Sequence, residues 1–187
     1  MVHRTRPNHF LRLVDLVRRN TTSRAYEEIH VESIISNEVF VNLIDYVKLH
    51  PKTMLMLTAP NELWCRMRVQ GESLSETEYA NILAQRYTQL HRFTNNMGLH
   101  VHLFHPKTIR VSTAEEQLDK IRQSLCFLNG LGFEIKDFAA GWWGYNYSTV
   151  LACAKVGISR FHCNHILAPC KGIEYVKVFR SCDDFQL

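Results

Sequence analysis

At 187 residues the chain is long enough for one domain with a real hydrophobic core and too short for two comfortable ones, so residues 1–187 are read as one domain. Hydrophobic residues make up 46% and charged residues 21%, a globular composition that excludes intrinsic disorder. The formal charge of +4 is scattered among 18 acids rather than gathered on one face, which argues against nucleic acid as a partner.

The opening MVHRTRPNHF has no apolar run behind its basic residues, and no stretch of about 18 apolar residues occurs; a cytoplasmic chain without a membrane partner is expected. The six cysteines (Cys65, Cys126, Cys153, Cys163, Cys170 and Cys182) read as reduced thiols, with Cys126 and Cys153 on apolar helical faces and expected to be buried.

In chain order, FLRLVDLV (10–17) predicts a buried strand with Asp15 near its C-terminal end. Ser36 caps a predicted helix carrying Phe40, Leu43, Ile44 and Val47 and ended by Pro51. TMLMLTAP (53–60) is a short apolar run broken by proline, the pattern of a strand covered on both faces. Ser75 and Glu78 form a capping box for a helix with Tyr79, Ile82, Leu83, Leu90 and Phe93, closed near Gly98. LHVHLF (99–104) follows as a strand. Ser112 and Glu115 predict a second capping box, and Leu118, Ile121, Leu125 and Leu128 line one face until NGLG. FEIKDFAAG (133–141) is a strand and loop. A helix from Asn146 or Ser148 runs through Val150, Leu151 and Ala154 to Gly157, and ISRFHCNH and EYVKVF are two more strands.

Strands alternating with single helices, without hairpin signals, imply right-handed βαβ units and a parallel sheet, either open and doubly wound or closed as a barrel. In either case a ligand site lies at the C-terminal strand ends. Asp15, His100, His102, His105, Trp142, Trp143 and His162 all fall at or just beyond such ends. His100 and His102 are two apart and share a strand face, while His105 sits in a loop before Pro106. Neutral imidazoles gathered this way favour a divalent metal, completed by a carboxylate from another strand. The spacing leaves open which two or three of the histidines bind.

GLHVHLFHP, following an amphipathic helix and the TMLMLTAP strand, resembles the second motif of the polysaccharide deacetylase superfamily, roughly GxHxxxHP. FAAGWWGYNYSTVLACAKVGI is similar to its third motif in the placement of Phe138, Gly144, Asn146, Thr149, Leu151 and Gly157. The likeness spans about residues 10 to 165 and implies an α/β fold, a distorted (β/α) barrel of about six or seven parallel strands, here either incomplete or closed by a strand from a second copy. It further implies a metal-dependent hydrolase of amide bonds that deacetylates an N-acetylated sugar or small amide. Zinc is the favoured ion, His100, His102, His105 and Glu32 are the candidate ligands, Asp15 is the base, and His105 is the acid toward the leaving amine.

The chain departs from the family pattern at three points. The paired aspartates of the first motif are represented by Asp15 followed by Leu16, with His30 and Glu32 of IHVES as the nearby alternative. The ligand histidines are separated by two, three or five residues rather than four. Ala139 or Ala140 stands where the family has an arginine. These departures keep a non-catalytic carbohydrate-binding relative in view. GWWGYN offers Trp142, Trp143, Tyr145 and Asn146 as a substrate platform, one indole stacking on a sugar and the other plugging the barrel mouth. His162, Cys163, His165 and Cys170 of FHCNHILAPC suggest, more weakly, a metal-stapled binding protein instead.

Overall fold

A computed structural model describes residues 26–62, 74–103 and 112–187. The predicted strand at 10–17 with Asp15, the loop residue His105 and Cys65 lie outside the described residues. The first described strand, β1 (Glu28–Val31), comes instead from the IHVES segment and is buried along its whole length.

The helix α1 (Asn37–Leu49) begins where Ser36 accepts a hydrogen bond from the Val39 N–H, and it buries Leu43 and Val47. The strand β2 (Met54–Leu57) follows. The helix α2 (Glu76–Leu90) starts at the expected Ser75/Glu78 box and buries Tyr79, Leu83, Tyr87 and Leu90, while Phe93 falls past its end and is exposed. Gly98 does not close that helix; it lies inside the strand β3 (Met97–Val101). A Cβ there would stand 2.4 Å from Met56 Sδ and 2.9 Å from Asp137 Cβ, so close strand packing, not helix termination, explains the glycine.

The helix α3 (Ala114–Gly130) is boxed by Thr113 and Glu116, one residue later than the sequence pattern suggests. Ser112 is used elsewhere: its hydroxyl donates to the Leu103 carbonyl at 2.7 Å and ties the helix entrance to the exit of β3. Thr113→Ala is expected to destabilise the protein by about 1 kcal/mol in urea unfolding, and Ser112→Ala to leave the helix cap intact. Cys126 on α3 is exposed rather than buried, because the buried stripe of that helix runs through Gln117, Ile121, Ser124, Leu125 and Leu128. The strand β4 (Asp137–Ala140), a single 3-10 turn at 141–143 and the helix α4 (Tyr147–Lys155) come next. Asn146 is the N-cap of α4, its side chain accepting from the Thr149 N–H. Cys153 is buried as expected, whereas Leu151 is exposed. The strands β5 (Arg160–Cys163), β6 (Glu174–Lys177) and β7 (Ser181–Asp183) complete the sheet, followed by a short 3-10 turn at 184–186.

All seven strands are parallel, in the order β6-β5-β4-β3-β2-β1-β7, and the sheet curls into a half-barrel with the four helices. The expected incomplete (β/α) barrel is thus what forms. Its two edge strands are successive parts of one stretch, 174–183: β6 pairs with β5, and β7 pairs with β1. Residues between them stitch the seam, since Val178 N–H donates to Cys163 O at 3.1 Å, Phe179 N–H to the Glu27 carboxylate at 3.0 Å, and Glu27 N–H to Arg180 O at 3.0 Å.

Pleat alternation sorts the side chains into two faces. Ile29, Val31, Leu55, Leu57, Leu99 and Phe138 point toward the helices and form one hydrophobic core with them. The opposite parity, starting with Glu28 and His30 on β1 and Gly98 and His100 on β3, points inward. Among the described residues, no helix is long and apolar enough to cross a membrane.

Candidate metal centre

The inward parity carries most of the buried charge of the described residues. Glu28, His30 and Glu32 come from β1 and its exit, His100 and His102 from β3 and its exit, Asp137 from β4 and His162 from β5, and each is at most 6% exposed. Three of them converge. One ligand atom each of His30, Glu32 and His100 lies within 4.8 Å of the others, a group able to hold a metal ion. His100 is fully buried, and its Nδ1 has no hydrogen-bond partner among the described residues. A buried nitrogen of that kind costs free energy unless something binds it. Two imidazoles and a carboxylate are also the donor set of a three-ligand site with an open position, so the residues present fit a divalent ion.

Around this group the contacts are close. His100 Nε2 and His102 Nε2 each lie 3.2 Å from Glu32 Oε1. His102 Nδ1 stands 3.3 Å from Glu62 Oε2, and Lys120 Nζ stands 3.2 Å from Glu62 Oε1 while donating to the His102 carbonyl at 2.6 Å. The His30 ring stacks on His100 with centroids 4.3 Å apart and an interplanar angle of 25°. Below it, Glu28 accepts from His30 Nε2 and from His162 Nδ1, each at 2.6 Å. The Ser33 N–H donates to both oxygens of Asp184 at 2.9 Å, which fixes the turn leading away from Glu32.

These surroundings push neighbouring groups in opposite directions. Burial alone would lower His30, but Asp183 and Glu28 overcome it and raise the imidazole to about 9. His100 is lowered to about 4, first by burial and then by the positive charge of His30. Burial opposes ionisation of Glu32, yet hydrogen bonds to His100 and His102 hold it well below the usual carboxylate range. Burial raises Asp184 to about 7 despite its backbone donors. Glu28 overcomes its own burial through His162 and His30 and falls to about 2.

The loop after β4 roofs the site. Trp142 and Trp143 both have φ of 53°, a region that bulky residues rarely adopt. Strain of about 1 to 3 kcal/mol per residue persists only where surrounding structure enforces it, commonly at ligand sites. Trp142 is 42% exposed and its ring meets His102 edge-on at 4.5 Å; Trp143 is half-buried against the core and meets His30 at 5.5 Å. A cavity of about 280 Å³ opens here, lined by His30, Glu32, Trp142, Trp143, Asp183 and Gln186 among others. Gly141 permits this packing, since a Cβ at that position would stand 2.1 Å from His102 Cδ2. Gly141→Ala is expected to displace His102 and to lower stability by about 1 to 3 kcal/mol. Thermal unfolding measures the loss, and His102 ring shifts in proton spectra locate it.

Of the candidate ligands, Glu32 and His100 fall in the metal-capable group, which His30 joins, while His102 lies beside Glu32 at 3.2 Å and outside that group. Asp15 and His105 lie outside the described residues. Tyr145 is buried, its hydroxyl donating to the His165 carbonyl at 2.5 Å, accepting from the His165 N–H at 3.1 Å and standing 3.0 Å from Asn164 Oδ1, so the phenol anchors the loop after β5. Asn146 is occupied as a helix cap. Among the described residues His162, Cys163, His165 and Cys170 do not assemble a metal-capable group; His162 instead faces Glu28 and Asp137. Glu28, Glu62, Asp183 and Lys120 carry no recognisable motif. The signal for Glu28 is the alternation of EIHVE, with an acid, an imidazole and an acid on one face of a strand.

A curled parallel sheet with a buried histidine–glutamate group at its C-terminal rim defines an α/β parallel-strand protein with a candidate metal centre. No family model matches the chain, and no curated protein matches it.

Proposed function

We propose that the chain is a metal-dependent hydrolase of carbon–nitrogen bonds acting on amides, best suited to deacetylating an N-acetylated sugar, with zinc as the ion. The observation that carries this reading is the convergence of His30, Glu32 and His100 beside a tryptophan-lined cavity at the C-terminal rim of a parallel sheet. A divalent ion at this group supplies Lewis-acid polarisation of an amide carbonyl. Glu32, ionised and shared by two imidazoles, offers the anionic ligand, and His100, held neutral by burial, offers a free lone pair. Asp183 lines the cavity with a partly exposed carboxylate and can take up a proton there. The exposed face of Trp142 suits the apolar face of a sugar ring, while Trp143 lines the cavity from its packing against the core. A volume near the lower end of small-ligand pockets, roughly 300 Å³, fits one sugar unit or a small amide rather than a long segment. The five described cysteines are all free thiols, which supports the cytoplasm as its compartment.

A second reading, a carbohydrate-binding protein of the same architecture without catalysis, is favoured by Ala139 and Ala140. Both are fully buried where the deacetylase resemblance would place an arginine, so β4 sends no guanidinium into the site. Acetate release from N-acetylated chito-oligosaccharides by zinc-loaded protein separates the two. Release lost in Glu32→Gln, together with a raised KM and a smaller change in kcat for Trp142→Ala, is the expected result. Binding of the oligosaccharide with no release above the Glu32→Gln background would overturn the hydrolase in favour of the binder.

A further inference from the structure

The polar chain beneath the site runs well past the ligand group. Arg160 donates from Nε and Nη2 to the two oxygens of Asp137, each at 2.6 Å. His162 donates from Nε2 to Asp137 Oδ1 at 3.0 Å and from Nδ1 to Glu28 Oε2 at 2.6 Å, and His30 Nε2 donates to Glu28 Oε1 at 2.6 Å. An ionised carboxylate only accepts, so each ring nitrogen bonded to one of these acids carries hydrogen. The two Glu28 oxygens are thereby committed to two different histidines, one on β1 and one on β5. With hydrogen fixed on Nε2 of His30, its Nδ1 is the nitrogen left to act as a ligand; on that side the nearest acid, Asp183 Oδ1, is 3.7 Å away, beyond a hydrogen bond.

We propose that Glu28 is a positioning residue for metal binding, holding His30 in the Nε2–H form so that Nδ1 can ligate, and that His162, braced by Asp137 and Arg160, holds Glu28 in turn. This rests on the reading that His30, Glu32 and His100 take a divalent ion. Partners that fix the tautomer and orientation of a ligating histidine commonly change metal affinity by about 10- to 100-fold when replaced. Glutamine at position 28 keeps the shape but can accept at only one end. Its amide donates at the other, and donation to His30 Nε2 drives the ring hydrogen to Nδ1 and removes the ligand lone pair.

Zinc titration calorimetry on the full chain and on its Glu28→Gln and His162→Gln variants, together with long-range proton–nitrogen spectra of His30, tests the assignment. Glu28→Gln is expected to weaken zinc binding about 10- to 100-fold and to shift His30 toward the Nδ1–H pattern. His162→Gln is expected to keep the Nε2–H pattern and to weaken zinc binding by about three- to tenfold, less than Glu28→Gln but outside the error of the titration. A ladder with only a structural role would, when broken, change stability but not the tautomer. Zinc uptake by the wild type that is unchanged in Glu28→Gln, with Nε2–H retained, overturns the inference while leaving the metal site standing. A wild type that takes up no zinc overturns the metal site and the inference together. Should Glu28→Gln fail to fold, unchanged zinc affinity in His162→Gln overturns the role of the anchoring chain.

Discussion

Raising the pH of the metal-free protein from 6 to 10 is expected to remove about 3 kcal/mol of folding stability through His162 alone. Its imidazole is raised from 6.5 to about 9: burial disfavours the charge, and Asp137 and Glu28 more than compensate. Because the folded-state value lies above the unfolded one, this contribution is complete below 6.5 and is lost as the pH climbs through 9. Glu28 behaves in the opposite sense. Its carboxyl, lowered from 4.5 to about 2, contributes above 4.5 and is lost as the pH falls toward 2. The two limbs report the same ion pairs from opposite ends and do not add. Stability is therefore expected to peak between about pH 4.5 and 6.5. Urea midpoints at pH 6 and 9.5 measure the alkaline limb, and His162→Gln should flatten it. An equally steep alkaline decline in that variant would show that the stabilisation does not reside in this pair.

The second large effect concerns the ligand group. Replacing Glu32 by glutamine and His100 by alanine together is expected to abolish stoichiometric binding of zinc and cobalt without unfolding the protein. Only one residue of the three-membered group then remains, and because Glu32 and the His100 ring it meets at 3.2 Å are changed together, neither is left stranded by loss of the other. Metal analysis after dialysis, with circular dichroism as the control for folding, reads the result. In the wild type, binding should tighten as pH rises from 6 toward 9, since His30 is raised to about 9 and the ion must displace the proton on its Nδ1. A pH-independent affinity would place His30 outside the coordination sphere.

The helices were largely legible because their signals are local. Ser36, the Ser75/Glu78 box, Asn146 and the glycines at 132 and 157 with φ of 85° and 87° act within a few residues of themselves. The Thr113/Glu116 box shows the limit of such signals. Ser112 and Glu115 fit the same pattern, and the choice fell to a hydrogen bond with Leu103, which is distant in sequence. β1 was the harder strand: EIHVE carries three charged or polar residues among five, which argues against a buried strand when sheets are expected to bury apolar runs. In this half-barrel the parity is inverted, with apolar residues toward the helices and acids and imidazoles toward the interior.

The sequence by itself determined the alternation of parallel strands and single helices from the strand at 54–57 to that at 160–163, most of the helix starts and the placing of His100 and His102 on one face, because periodicity and capping are short-range properties of the backbone. Tertiary structure alone decided which carboxylates those imidazoles meet. Glu32 is 68 residues from His100 and Glu28 is 134 from His162. Only the curl of the sheet brings them within bonding distance, and only mutual compensation of charge allows such groups to be buried at all.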